Sequence, residues 1–380
     1  MDGSLVATDW PPLTLGELRP LLAEFPACGR PVSILTISPR PFSAASVVET
    51  TAGRIFVKRH HRLVRDARGL EEEHRFLEHL RSRGVSVPRL FASAAGLTAI
   101  ERGEWTYEIH DIPAGVDLYQ DALSWTPFLS SAHAHSAGQT LARLHYAAEG
   151  FNEPARPVRP LVSSFTIFAA ADPEAELRRY LAARPALAAH QDVRRCAEQA
   201  LELLAPFHAE LQPLRPALPA LWTHNDLHAS NLLWSNESPT ARATAVLDFG
   251  LADRTFAVYD LAQAIERSLV EWLAIVEPDA PLDSAAIHFD QLTALLDGYE
   301  SVRPLTRAEA AALVPATALC HAEFALTEAD YFLAVLHDEQ KASYAYRSYL
   351  VGHSRWFRSA GEPLLAALRR RSATRWGPTL

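Results

Sequence analysis

Between Trp222 and Gly250 the chain reads WTHNDLHASNLLW, a polar interval, and then ATAVLDFG. No other stretch constrains the fold as tightly. It sets His224, Asp226 and Asn231 in an H-x-D-x-x-x-x-N array. A β-type run, Ala245-Val246-Leu247, follows and ends in Asp248-Phe249-Gly250. Asp and Asn commonly cap turns and end strands, so either half alone reads as punctuation. Both halves in this order, the second behind an apolar strand, demand a fold that holds a loop and a strand end for chemistry.

The flanking sequence divides in two. Residues 13–25, LTLGELRPLLAEF, carry apolar positions at helical spacing. Ser33–Ile37, Ser46–Thr50 and Arg54–Lys58 read as strands, with Thr51-Ala52-Gly53 as a turn. Gly69 to Arg83 switches to helical period through Leu70, Phe76, Leu77 and Leu80, and LTAI–ERGE–WTYEIHDI reads as a hairpin. Three strands, a helix and two strands make a small lobe over 1–111. Ile112-Pro113-Ala114-Gly115 has the composition of a connector. From there 112–380 is nearly all helical in pattern, with candidates at 172–188, 191–212, 306–326 and a last helix through WFRSAGEPLLAALRRR. The class is α+β.

Charge excludes some partners. The formal net charge is −9, against a nucleic-acid binder, which needs a basic face. Up to Asp111 there are 14 basic and 14 acidic residues, so the helical part carries the whole excess. That excess suits a cationic substrate or a solvated helical surface equally. No apolar run is expected to span a bilayer, the opening MDGSLVATDWPP lacks the pattern of a secretory leader, and no membrane partner is expected. Cys28, Cys196 and Cys320 are far apart without metal-ligand spacing, which suits buried thiols in a reducing cytoplasm. Oligomeric state is left open.

The spacing of the central array is that of a kinase catalytic loop. There the aspartate faces the acceptor hydroxyl, the asparagine binds a metal ion and the DFG aspartate supplies a metal-binding carboxylate. Asp226 is thus the candidate catalytic carboxylate, with Asn231 and Asp248 as oxygen ligands suited to Mg2+. Lys58, on the third strand, is the candidate contact to the ATP phosphates. Glu73 is its expected partner, because Leu77 and Leu80 at i+4 and i+7 put it on the inward face, with Glu71 and Glu72 turned toward solvent. The loop Ser38–Ser46 contains no glycine. The hydroxyls of Ser43 and Ser46 and neighbouring backbone N–H groups are the candidate substitutes for a glycine-rich phosphate loop.

His224 and His228 are read as structural supports of the loop, and His145 as a packed histidine. His60/His61 and His133/His135 have no carboxylate or cysteine at zinc-site spacing. Asp260 is expected either to cap its helix or to brace the catalytic loop. Arg369, Arg370 and Arg371 are read as complementing a helix C-terminus.

These residues resemble a known family. HNDLHASNLLW, LDFG, Lys58 and Glu73, with GQTLARLH before the loop and DGYESVRPLTRAE after it, are similar to the aminoglycoside phosphotransferase and choline kinase family. The last segment is similar to its bacterial homoserine kinase-like members. The resemblance runs from about Ile34 to about Phe324. It implies a two-lobed protein kinase-like fold, ATP in a cleft with a hinge near His110 to Gly115, nucleotide contacts at His110 and Ile112, and an acceptor site on helices of the large lobe.

Two rivals stand beside a small-molecule kinase. A protein kinase needs a long activation segment, and only Leu251 to Tyr259 separates DFG from Asp260-Leu261-Ala262. A silent ligand-binding protein on the same fold would not need every charged position. The small-molecule acceptor stays open among amino sugars, amino alcohols, homoserine-like acids and nucleoside-like alcohols. Glu266, Glu271, Glu323, Glu328 and Asp330 are candidates to receive a cationic group on it.

Overall fold

The computed structural model describes residues 8–275 and 280–376. The chain divides into two compact units, Met1–Gly115 with Ala245–Leu247, and Val116–Thr244 with Asp248–Leu380.

In the first unit, α1 (Leu15–Leu22) precedes β1 (Pro31–Ile37), β2 (Ala44–Thr50) and β3 (Gly53–His61). Then come α2 (Ala67–Ser82), β4 (Ala99–Arg102) and β5 (Trp105–His110). The strands form one antiparallel sheet in the order β1-β2-β3-β5-β4. Alternation decides which face each residue serves. Ile55, Val57 and Ile109 go into a core with Leu18, Leu21, Leu22 and Phe25 of α1 and its exit. Full burial of such side chains contributes about 2 kcal/mol each. Lys58 lies opposite Glu108 across β3–β5, on the other face, and His74 of α2 reaches that glutamate. Helix α2 starts where the Asp66 carboxylate accepts the Gly69 N–H at 2.7 Å. It buries Glu73 while Glu71 and Glu72 stay half-exposed, as their spacing predicts.

The second unit holds α3 (Ser131–Ala148), α4 (Pro173–Ala182), α5 (Pro185–Ala189), α6 (Gln191–Leu211), β6 (Leu221–Thr223) and β7 (Leu232–Trp234). After β8 (Ala243–Val246) and β9 (Asp253–Thr255) it continues with α7 (Ala257–Leu269), α8 (Phe289–Val302), α9 (Arg307–Leu319) and α10 (His321–Tyr331). The chain ends through α11 (Glu339–Ser343), a π-helical stretch Tyr344–Gly352, α12 (His353–Phe357) and α13 (Glu362–Trp376). Helix α7 is buried along its whole length, as a central helix packed on all sides must be. It nevertheless carries Asp260, Gln263, Glu266, Arg267 and Ser268, each of which needs a polar partner in so dry a place. Helices α3 and α8 touch backbone to backbone. A Cβ on Gly138 would lie 2.0 Å from the Leu295 carbonyl oxygen, and one on Gly298 2.0 Å from that of His135.

Several sequence expectations are corrected. The helix expected over 172–188 breaks before Pro185, whose ring disfavours helical geometry in the preceding residue. The one expected over 306–326 is two helices meeting at Cys320. The last expected helix is interrupted by a turn at 358–361. Arg369 and Arg371 lie inside α13 rather than at its C-terminus, and pair with Glu362 and Glu210, and with Asp297 and Glu300. A run of bilayer length and apolarity does exist, Arg307–Leu336, but its apolar window is wholly buried in the unit as core helix. Cys28, Cys196 and Cys320 are free thiols, all buried.

Candidate functional site

The catalytic-loop candidates lie in the second unit on a small polar scaffold. Strand β6 pairs with β9 through Thr223 opposite Asp253, and the chain then turns at Asn225 with φ +61°. Asparagine tolerates this left-handed conformation, and its side chain fixes it. Its amide donates to the carbonyls of Ser163 and Leu251 at 2.9 and 3.3 Å and accepts the Thr223 hydroxyl at 2.7 Å. From below, Asp260 accepts the backbone N–H of both His224 and Asn225 at 2.8 Å, and is hydrogen-bonded to His145 at 3.0 Å. Burial pushes the Asp260 carboxyl up, but His145 and His224 with the loop N–H groups outweigh it and hold the pKa below the usual value. Asp260 therefore braces the loop. It does not cap α7, whose N-cap position is Phe256.

His224 and His145 take the structural places expected of them. The His224 Nδ1 accepts the Asp226 N–H at 3.1 Å, and its ring packs edge-on against Phe249 at 4.6 Å. His145 is held between Asp260 and the Tyr299 hydroxyl. The His228 ring lies 3.8 Å from the Asp226 carboxylate.

Asp226 and Asn231 are brought together. The Asn231 amide N–H donates to the Asp226 carbonyl at 2.9 Å and to its carboxylate at 3.1 Å. The Asn231 amide oxygen is the group's remaining acceptor, the kind of atom a hard cation takes. Asp248 has φ +56°, strained for a non-glycine residue, at the end of the Ala245–Leu247 run. An amide oxygen and a carboxylate fit magnesium, which needs only one or two protein carboxylates beside phosphate and water. Among the described residues no group of three or more His, Cys, Asp or Glu has metal-holding geometry.

Arg267 is the residue that sequence reasoning missed. It stands seven positions after Asp260, two turns on along the same face of α7, and that spacing was the available signal. Its Nη1 donates to the Asp226 carboxylate and, at 2.9 Å, to the Asn225 carbonyl. Burial favours losing the proton, but Asp226 and its neighbours dominate and keep the guanidinium firmly charged. Its carbon lies 4.4 Å from the ring centroid of Phe324 and 5.1 Å from that of Trp125.

The nucleotide candidates lie in the first unit. Lys58 is half-buried on β3 and Glu73 buried on α2, and both act electrostatically on His60. Glu108 gathers three histidines: His60 at 2.9 Å, His74 at 2.8 Å and His110 at 3.0 Å. Strand pairing, not sequence spacing, gives His60 this carboxylate. His110 thus turns its ring to Glu108, while Ile112 is 41% exposed.

The β1–β2 loop differs from its expected role as a source of free N–H groups. Ser38 N–H donates to the Ala45 carbonyl, Phe42 N–H to Asp9 and Ser43 N–H to the Pro41 carbonyl. Ser46 is buried in β2. Of the acidic candidates for an acceptor cation, Glu323 is spent on Ser164, Thr166 and Ile167, Asp330 faces Arg184 at 3.9 Å, and Glu271 faces His288.

A five-stranded unit with one key helix, and a helical unit carrying this loop, define a protein kinase-like fold. Solved structures share it. The chain matches a microcompartment-associated aminopropanol kinase with TM-score 0.58 and 18% identity, covering 93% of this chain and 99% of that one. It matches the amicoumacin kinase hAmiN, solved with AMP-PNP, Ca2+ and Ami, with TM-score 0.55 and 13% identity over 85% and 88% of the two chains. The profile of the phosphotransferase enzyme family, APH, matches residues 41–305, and the chain belongs to that family. Curated relatives include a homoserine kinase of Phenylobacterium zucineum, 29% identical over 328 residues and 86% of each chain. Another is a homoserine kinase of Xanthobacter autotrophicus, 29% identical over 238 residues, 62% of this chain and 61% of that relative's length.

Proposed function

We propose that the protein is a cytoplasmic kinase that transfers the γ-phosphoryl group of ATP, with Mg2+, to a hydroxyl of a small molecule. The observation that carries this reading is the Asp226–Asn231 pair on a loop braced by Asp260, in a chain of the phosphotransferase enzyme family. Phosphoryl transfer asks mainly for positioning and charge neutralisation. The Asp226 carboxylate orients the acceptor hydroxyl and receives its proton as the oxygen attacks. Asn231, through its amide oxygen, and Asp248 would hold the metal, which would supply neutralisation of phosphate charge. Lys58, with Glu73 as its partner, contacts the phosphates, with the Ser43 hydroxyl of the β1–β2 loop. Backbone at His110 and Ile112 borders the base.

The path from Gly250 to α7 at Ala257 is six residues, 251–256, and part of it is β9. That length supports a small-molecule acceptor over a peptide. The homoserine kinases and the aminopropanol kinase among its relatives and neighbours favour a small amine or amino acid bearing the hydroxyl. The test is magnesium-dependent ADP release across amino alcohols, hydroxy amino acids and amino sugars, with Asp226→Asn as the blank. ATP binding without acceptor-dependent ADP release anywhere in the panel would instead mark a silent binding protein.

A further inference from the structure

Arg267 uses one nitrogen and leaves an edge. Nη1 is committed to Asp226 and Asn225, while Nε and Nη2 are buried and have no hydrogen-bond partner among the described residues. An orphaned donor in a dry interior costs about 1–3 kcal/mol, more for a charged group, and two on one guanidinium call for an explanation. Phe324 and Trp125 lie against the group. The Tyr349 hydroxyl is also buried and has no hydrogen-bond partner among the described residues. Its ring lies 5.3 Å from that of Trp125 and 6.0 Å from that of Phe324, and it acts electrostatically on Arg267. Two parallel N–H donors from Nε and Nη2 match the two oxygens of a carboxylate, which a point charge does not.

We infer that the Nε/Nη2 edge of Arg267, with the Tyr349 hydroxyl, binds a carboxylate of the acceptor. This rests on the kinase reading and narrows it to hydroxy acids, hydroxy amino acids above all. The same guanidinium then ties the acceptor's carboxylate to the Asp226 carboxylate, fixing the distance from the acid group to the hydroxyl that is phosphorylated. Trp125 is the half-exposed ring of the group, on a backbone with φ +63°, and is the side from which a small acid enters.

Matched pairs test the inference: L-homoserine against 3-aminopropan-1-ol, L-serine against ethanolamine, and L-threonine against 1-aminopropan-2-ol. Each pair differs by the carboxylate alone. Binding to the Mg-ATP-analogue complex is measured by calorimetry, and kcat/KM by ADP release. The expected result is that at least one acid binds and exceeds its amino alcohol by about 100-fold, as a site built for a polar group rejects its absence. Arg267→Lys keeps a charge beside Asp226 but loses the fork, and should bring that ratio below about 10. Tyr349→Phe should lower it while leaving the KM for ATP unchanged. Binding that is lost in Arg267→Lys without ADP release upholds the carboxylate site and refutes the kinase reading. No binding by any acid, equal use of the amino alcohols, or an unchanged ratio in Arg267→Lys overturns the inference.

Discussion

Replacing Asp260 by Asn is the sharpest perturbation of the scaffold. The wild-type carboxylate accepts two backbone N–H groups at 2.8 Å and faces His145, all fully buried. An amide can accept on its oxygen alone, so its NH2 meets one of the loop N–H donors head-on. The loss combines a charge-assisted hydrogen bond, about 1.5–3 kcal/mol, with an unsatisfied buried N–H, about 1–3 kcal/mol, or about 4 kcal/mol together. The native pKa of Asp260 is depressed. Its stabilisation is therefore present above the unfolded carboxyl pKa and lost as pH falls through the native one. Urea unfolding followed by tryptophan fluorescence at pH 7.5 should show the full difference between wild type and variant, and the gap should shrink in acid. Turnover should fall with it, since Asn225 and Asp226 lose their anchor. A variant within about 0.5 kcal/mol of wild type, with undiminished kcat, would refute the bracing role.

Gly138→Ala and Gly298→Ala should each destabilise the second unit by about 3 kcal/mol, the cost of overpacking against rigid backbone. Gly352→Ala, whose Cβ would meet nothing closer than 3.7 Å, is the control expected near zero in the same urea series. Lys58→Met should lower kcat/KM for ATP by about 100-fold through loss of a charge-assisted phosphate contact, with the acceptor KM unaffected in steady-state kinetics. Burial raises the Glu266 pKa to about 7, against the lowering pull of His321 and Arg267. Because the native pKa lies above the unfolded one, its stability contribution is complete below the unfolded pKa and disappears as pH rises through the native value. Glu266→Gln should therefore gain about 3 kcal/mol relative to wild type between acid and pH 8, read as converging or crossing denaturation midpoints.

Local pattern made much of this readable from sequence. Lys58 is read from a strand because β3 alternates, and Glu73 from a helix because Leu77 and Leu80 fix its face. The Asp226–Asn231 contact follows from a five-residue spacing within one loop. What sequence did not expose depends on elements far apart in the chain. Glu108 meets His60 and His74 only because β5 lies beside β3 under α2. The role of Asp260 as a brace needs β6 and α7 in contact, and Arg267 hides in a helix that looks merely amphipathic until every face of it is buried. The β1–β2 loop shows the same dependence: Asp9, more than thirty residues earlier, takes the Phe42 N–H.

The central claim is that Asp226 serves phosphoryl transfer to a small hydroxylated acceptor. Single-turnover ADP formation with Mg-ATP and the best acceptor of the panel tests it directly, wild type beside Asp226→Asn. The account predicts a loss of about 1000-fold or more in the chemical step, with nucleotide affinity retained. Wild-type turnover in Asp226→Asn would contradict it.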